Sequence, residues 1–155
     1  MTRYKLMIRR ITLEELTSAA EFDGLFDAYR AEAAIDDLPM PSYEAHIYRS
    51  MEAAGLLHIL AAHQGDRLIG FLSLIVSVLP HYGMTCATAE SYFVDARHRR
   101  GGAGIKLLRK AESLSEELGA GVLLLSARPD SPLSVILPRS GYAPANTVYY
   151  RRLAA

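Results

Sequence analysis

The sequence predicts one mixed α/β domain with a central, mostly antiparallel sheet flanked by helices. Three observations lead to this fold class: a length of 155 residues, which suits about one domain, long apolar runs bounded by turn residues, and apolar residues at helical spacing between those runs. No internal repeat, low-complexity tract or linker divides the chain, so we expect residues 1–155 to form a single unit.

The first part of the chain predicts a strand and two helical regions. Thr12 and Glu15 have the spacing of a capping box, which marks the start of a helix. Ser42 is the expected N-cap of the second helix, and Gly55 ends it. The predicted elements here are a strand (4–12), a helical region (13–34), a proline-bounded loop (35–41) and a helix (43–54).

The middle of the chain predicts three antiparallel strands. The longest of them, residues 67–79, is dense in Leu, Ile, Val and Phe, which favours a central position in the sheet. Turn residues at 63–66 and 80–83 separate the strands. The predicted strands cover residues 56–62, 67–79 and 84–95.

The last part of the chain predicts a helix, a strand, a short helix and two final strands. Leu107, Ala111 and Leu114 recur at helical spacing and predict a buried helix face. The predicted elements are a helix (102–118), a buried parallel strand (121–127), a short helix (131–138) and strands at 141–142 and 147–153.

Composition excludes several classes of protein. The formal net charge is zero, with 17 basic and 17 acidic residues, whereas a nucleic-acid-binding domain usually has a basic excess. The longest apolar run, residues 68–80, is too short to span a bilayer, and the N-terminal residues do not predict a signal peptide. The single cysteine, Cys86, is expected to be a buried, inert thiol in a reducing compartment, so we expect a cytoplasmic protein.

A basic, glycine-rich turn between a strand and a helix is the most informative feature of the chain. Unpaired amides and the helix dipole favour an anion at a helix start, and glycines allow it to approach the backbone. The turn therefore predicts a phosphate or pyrophosphate site, although a glycine cap with solvated arginines is the alternative. It contains Arg97, Arg99, Arg100, Gly101, Gly102 and Gly104. Neither G-x-x-x-x-G-K-[ST] nor G-x-G-x-x-G is present.

Residues 99–104 read R-x-x-G-x-G, and in this strand–turn–helix setting they resemble the acetyl-CoA signature of the GNAT superfamily of N-acetyltransferases. The order of predicted elements matches the same family over nearly the whole chain. The resemblance implies a single N-acetyltransferase domain, residues 1–155, with acetyl-CoA as co-substrate and its pyrophosphate on the amides of the turn. The implied coenzyme-binding residues are Phe93, Val94, Arg99, Arg100, Gly101, Gly102, Ala103, Gly104 and Asp130.

Glu90 is the candidate general base, which would remove a proton from the acceptor amine directly or through water. Relatives often have a glutamate three residues before the valine, but Ser91 occupies that position here and Glu90 lies one residue away. A β-bulge would re-aim Glu90. The alternative is a structural glutamate that faces solvent or pairs with an arginine.

The general acid of the family is usually a tyrosine four residues before a Gly-Phe or Gly-Tyr pair. Here Leu137 occupies that position relative to the pair Gly141-Tyr142, so the usual acid is absent. Tyr142 is the candidate substitute, and the alternative is that its ring packs against the sheet. Asp130 aligns with an asparagine of the family, and either Asp130 or Ser131 would contact the pantetheine or cap the short helix.

The resemblance implies direct transfer of an acetyl group to a primary amine in a ternary complex. The acceptor is a small-molecule or peptide amine, and the acidic residues Glu32, Asp36 and Asp37 would attract its charge unless they are simply solvated. No nucleic-acid partner is expected because the net charge is zero, and no membrane partner because the longest apolar run is short. No metal is expected, because no histidine is spaced as a ligand pair with another histidine or cysteine. A homodimer is left open. The alternative function is a non-catalytic acyl-CoA-binding or regulatory module on the same fold.

Overall fold

Five strands form one sheet in the order β1-β2-β3-β4-β5 in a computed structural model of the protein, which describes residues 4–154. β1 to β4 are antiparallel neighbours, and β5 pairs in parallel with β4. The strands are β1 (Leu6–Ile11), β2 (Leu57–Gln64), β3 (Arg67–Leu79), β4 (Met84–Val94) and β5 (Val122–Leu124). The helices are α1 (Leu13–Ser18), α2 (Phe22–Ala33), α3 (Ala45–Ala53), α4 (Ala103–Glu117) and α5 (Pro132–Arg139). The mixed α/β fold with a mostly antiparallel sheet is confirmed.

Two apolar cores lie on opposite faces of the sheet. On one face α4 packs against β2 and β3, with Leu107 and Leu114 among its fully or nearly buried side chains. On the other face α1, α2 and α3 cover Phe71 and Phe93. Because successive residues of a strand point to opposite faces, this division determines which helix each strand residue meets. Cys86 is a buried free thiol, as the sequence predicts.

Several local predictions are confirmed by the helix ends and turns. The capping box is present, because Thr12 Oγ1 accepts from the Glu15 amide and a Glu15 carboxylate oxygen accepts from the Thr12 amide. β3 has the predicted bounds, and α4 ends one residue before Leu118, close to the expected position. No helix within residues 4–154 is long and apolar enough to cross a membrane.

Two helix predictions were wrong. The region 13–34 is two helices, because the backbone at Ala19 turns extended and ends α1. The break allows both helices to place apolar side chains in the same core, Leu16 from α1 and Leu25 from α2. Ser42 is not the N-cap of α3, which begins after Glu44 without a side-chain cap.

The predicted final strands are absent from the described part of the chain. Residues 141–142 and 147–153 form no strand, and β5 covers only three residues of the predicted 121–127. Val148 and Tyr149 are 81% and 89% exposed, so their strand propensity is not supported by packing. A strand needs a hydrogen-bonded neighbour and a buried face, and propensity alone does not supply them.

Candidate active site

The turn between β4 and α4 is a 3₁₀ turn over Ala96–Gly101. Asp95 caps it, since its carboxylate accepts a 3.0 Å hydrogen bond from the Arg97 amide. Gly102 then has a φ of +80°, a left-handed conformation that favours glycine, and α4 begins at the next residue. The strand–turn–helix prediction is confirmed.

The first turn of α4 presents main-chain N–H groups without helical partners. The first hydrogen bond of the helix runs from the Lys106 amide to the Gly102 carbonyl, so the amides of Ala103, Gly104 and Ile105 have no acceptor within the helix. A Cβ atom added at Gly102 would meet no atom within 4 Å, which leaves space above the turn. Unpaired donors, a helix N-terminus and open space fit the phosphates of a coenzyme.

A cavity of about 350 Å³ lies beside this turn. The residues that line it include Gln64, Arg97, His98, Gly101 and Ala103. The cavity extends from the turn to Gln64 at the end of β2, so the space for a ligand extends beyond the helix start. The guanidinium in its lining belongs to Arg97 and is paired with Asp95, so the amides of the turn are the groups here that favour an anionic ligand.

The three arginines of the turn have different environments. Arg97 pairs with Asp95 at 2.8 Å, and hydrogen bonds from Arg97 hold the pKa of Asp95 at about 2. No carboxylate of residues 4–154 lies within ion-pair distance of Arg100. Arg100 is therefore the arginine of this turn with its charge available to a ligand.

Arg99 connects the turn to α2. Its Nε donates to the Val94 carbonyl at 2.9 Å, and one terminal nitrogen donates to both carboxylate oxygens of Glu32 at 2.8 Å. Its guanidinium also lies 5.3 Å from the centre of the Phe93 ring. These contacts commit Arg99 to the protein itself, so its role as a phosphate ligand stays a prediction.

Glu90 is the extra residue of a β-bulge in β4. Ser73 of β3 pairs with Ser91, and Leu74 pairs with Ala89, so no residue of β3 pairs with Glu90. In a regular strand Glu90 would share the face of Tyr92, which packs on the α4 side. The bulge turns the carboxylate to the opposite face, where α3 lies.

Two hydroxyl groups hold the Glu90 carboxylate on that face. Tyr48 of α3 donates to Oε1 at 2.8 Å, and Ser73 donates to Oε2 at 2.6 Å. Burial raises the pKa of Tyr48, and the negative charge of Glu90 raises it further. Burial, together with a smaller effect of the Glu90 charge, raises the pKa of Tyr29 to about 12. Both phenols therefore remain protonated, and the site contains a carboxylate among neutral hydroxyls.

Comparison with known proteins decides the family. Residues 22–142 match the acetyltransferase (GNAT) family. The chain belongs to the GNAT family of acetyltransferases. No curated protein sequence is significantly similar to it over its length.

Solved structures share this GNAT fold at low sequence identity. An aminoglycoside acetyltransferase from an uncultured soil metagenomic sample has a TM-score of 0.74 and 18% identity, covering 96% of this chain and 97% of that one. A ribosomal-protein-alanine N-acetyltransferase from Brucella melitensis biovar Abortus has a TM-score of 0.71 and 19% identity, covering 97% and 100%. A glucosamine-6-phosphate N-acetyltransferase from Arabidopsis thaliana has a TM-score of 0.72 and 12% identity, covering 97% and 99%.

The GNAT chain brings some predicted site residues together and separates others. β4 carries Glu90, Phe93 and Val94, and the turn that contains residues 99–104 follows shortly after its end. The base candidate and the candidate anion site are therefore close together along the chain. Tyr142 lies elsewhere, because its hydroxyl donates at 2.7 Å to Glu112 of α4, on the other face of the sheet. Burial raises the pKa of Tyr142, and the hydrogen bond to Glu112 raises it further.

The positions around α5 correct one alternative. Ser131, not Asp130, caps α5, because the Ser131 hydroxyl accepts from the Ser134 amide at 3.3 Å. Asp130 is exposed, and its contact with pantetheine stays a prediction. Leu137, at the position of the family's usual acid, is buried with 8% of its surface exposed.

Sequence reasoning missed Tyr48, Ser73 and the Glu32–Arg99 ion pair. A serine inside the apolar run of β3 was the one local signal, since a buried hydroxyl needs a hydrogen-bond partner. The acidic loop after α2 is also more constrained than expected, because the Tyr150 hydroxyl donates to the Asp36 carbonyl at 3.0 Å. No group of three or more His, Cys, Asp or Glu side chains within residues 4–154 is arranged to hold a metal ion.

Proposed function

We propose that this GNAT protein is an acetyl-CoA-dependent N-acetyltransferase that moves an acetyl group to a primary amine by direct transfer in a ternary complex. One observation carries the proposal: β4 joins a carboxylate on a bulge, Glu90, to the amide-rich start of α4. A base close to an anion site is what amine acetylation from a phosphorylated thioester donor requires.

The coenzyme would be held at the start of α4. The amides of Ala103 and Gly104, together with the Arg100 guanidinium, would bind the pyrophosphate. The backbone at Phe93 and Val94 would bind the pantetheine arm in the manner of an added strand, with Asp130 beside it. The Val94 carbonyl already accepts from Arg99, which supports a role for that arginine in shaping the strand end.

The reaction begins with the acceptor, because an ammonium has no lone pair with which to attack. Glu90 takes a proton from it, directly or through water, and the neutral amine then attacks the thioester carbonyl. The carbon–nitrogen bond forms and the carbon–sulfur bond breaks. The ammonium nitrogen loses two protons in all, the first through Glu90 and the second after the attack, so the products are an amide, a thiolate and two protons released to solvent.

The leaving thiolate needs little assistance from this protein. Tyr142 has its hydroxyl committed to Glu112 and a raised pKa, and both features oppose proton donation to sulfur. We therefore assign Tyr142 a packing role and propose that the thiolate leaves without a dedicated acid.

The acceptor is proposed to be a small-molecule or peptide primary amine that carries positive charge. Asp36 and Asp37 lie exposed in the loop after α2 and would attract such a cation, whereas Glu32 is already paired with Arg99. The proposed location is the cytoplasm, which the single buried cysteine supports.

A thiol-release assay tests the function. Purified protein is mixed with acetyl-CoA and a panel of amines that includes aminoglycosides, amino sugars and peptides with free α-amines. Release of coenzyme A thiol that depends on one class of amine supports the proposal. Tight binding of acetyl-CoA without amine-dependent release across the panel would instead indicate a non-catalytic binding module.

A further inference from the structure

The bulge in β4 places Glu90 beside two hydroxyl groups from different elements. One is Ser73, which lies on the central strand β3 and is 5% exposed. The other is Tyr48, which lies on α3 and reaches across to the sheet. Glu90 is thus held by one contact from the sheet and one contact from a helix.

The direction of the hydrogen bonds is fixed by the number of protons. Ser73 has a single hydroxyl proton, and Glu90 as a carboxylate can only accept, so Ser73 donates to Glu90. The 2.6 Å contact between Ser73 and Ser91 then has Ser91 as donor. The result is a directed chain from Ser91 through Ser73 to Glu90, in which each bond polarises the next.

The carboxylate keeps acceptor capacity for a substrate. A carboxylate has about four lone-pair positions, and Tyr48 and Ser73 occupy one on each oxygen. The remaining positions are available to an ammonium or a water molecule. Both hydroxyls therefore orient the group without blocking it.

We propose that Ser73 and Tyr48 are positioning residues that fix the Glu90 carboxylate in the orientation from which it accepts the proton of the acceptor amine. This inference rests on the proposed function. Ser91 contributes to the orientation of Glu90, because it donates to the Ser73 hydroxyl and orients it.

Steady-state kinetics of matched variants over a range of pH tests this role. Ser73→Ala removes one donor, Ser73→Thr restores a hydroxyl, and Ser77→Ala makes the same deletion on β3 where the serine contacts Cys86 instead. Tyr48→Phe is matched by Tyr43→Phe, which lies against it with a ring-centre distance of 5.3 Å.

We expect Ser73→Ala and Tyr48→Phe to lower kcat about 10-fold or more, with the KM for acetyl-CoA unchanged. The acid limb of the pH profile of kcat/KM should move to higher pH, because the carboxylate loses a donor that stabilises its charge. Ser73→Thr should recover most of kcat, and the two controls should match wild type.

Three results would overturn the inference. Wild-type kinetics and pH profile in Ser73→Ala and Tyr48→Phe, with Glu90→Gln impaired, would reject the positioning role alone. If both variants lose kcat but the acid limb of the pH profile of kcat/KM does not move, Ser73 and Tyr48 have only a structural role. If the wild type turns over none of the amines, the proposed function is wrong, and this inference, which rests on it, is wrong as well.

Discussion

The hydroxyl of Tyr92 donates a 2.6 Å hydrogen bond to the carbonyl oxygen of Gly104. This bond connects the strand that carries Glu90 to the first turn of α4, and therefore connects the base candidate to the candidate anion site. Burial raises the pKa of Tyr92 to about 12, and the phenol therefore remains a donor at any physiological pH. A β-carbon at Gly104 would come within 3.1 Å of the same hydroxyl, which explains a glycine here in structural terms.

The anion site is tested by Gly102→Glu. The new carboxylate would enter the open space above the turn and repel a pyrophosphate, so acetyl-CoA affinity measured by calorimetry should fall by about 100-fold or more, or about 2.7 kcal/mol. Gly119→Glu is the control, because Gly119 follows the other end of α4 with nearly the same φ, +81° against +80°, and similar open space. If a folded Gly102→Glu variant binds acetyl-CoA with the affinity of wild type, the coenzyme does not bind at this turn.

The base is tested by Glu90→Gln. The amide keeps the shape of the side chain but cannot take a proton, so kcat should fall about 100-fold while acetyl-CoA affinity stays unchanged. Raising the pH should partly rescue the variant, because more of the acceptor is then already a free amine. If kcat/KM matches wild type from about pH 6 to about pH 9, deprotonation is not the task of Glu90.

Tyr142→Phe distinguishes a general acid from a packing residue. The change keeps the ring and removes the hydrogen bond to Glu112, so we expect kcat within about twofold of wild type and a free energy of unfolding lower by about 1 kcal/mol. Denaturant titration and the thiol-release assay measure the two quantities. A loss of kcat of about 100-fold with stability retained would reinstate Tyr142 as the acid.

The cap of the turn between β4 and α4 predicts a pH dependence of stability. Asp95 has its pKa lowered in the folded state from 3.8 to about 2, chiefly by the hydrogen bond from Arg97. Its contribution is therefore complete above the unfolded pKa and is lost as the pH falls through about 2. The difference in unfolding free energy between wild type and Asp95→Asn should shrink as the pH is lowered below about 4. A difference that is constant over this range would mean that the charge of Asp95 contributes nothing.

Local signals in the sequence predicted a large part of the fold, including the strand, turn and helix that carry the candidate site. The Thr12–Glu15 capping box, the apolar run 67–79 and the glycine-rich turn are each determined by neighbouring residues, and all three are present. The bulge at Glu90 was anticipated only as a means of re-aiming the side chain. Its cause lies in the pairing with β3, which local sequence does not determine.

The contacts that sequence reasoning missed join distant parts of the chain. Tyr48 and Glu90 are 42 residues apart, and Glu32 and Arg99 are 67 residues apart. Such contacts follow from the way α2 and α3 pack on the sheet, and the helical periodicity of each segment does not determine which distant residues it meets. The predicted strand at 147–153 failed for a related reason, since propensity does not provide a pairing partner.

The most direct test of the account is to find the acetyl group on an amine. The protein is incubated with acetyl-CoA carrying an isotopically labelled acetyl group and a mixture of primary amines, and the products are analysed by mass spectrometry. At a concentration of acetyl-CoA that does not saturate the wild type, we predict a labelled amide from wild type and far less of it from both Glu90→Gln and Gly102→Glu. Coenzyme binding at the turn with no labelled amide from wild type would contradict the central claim that this protein transfers acetyl groups to amines.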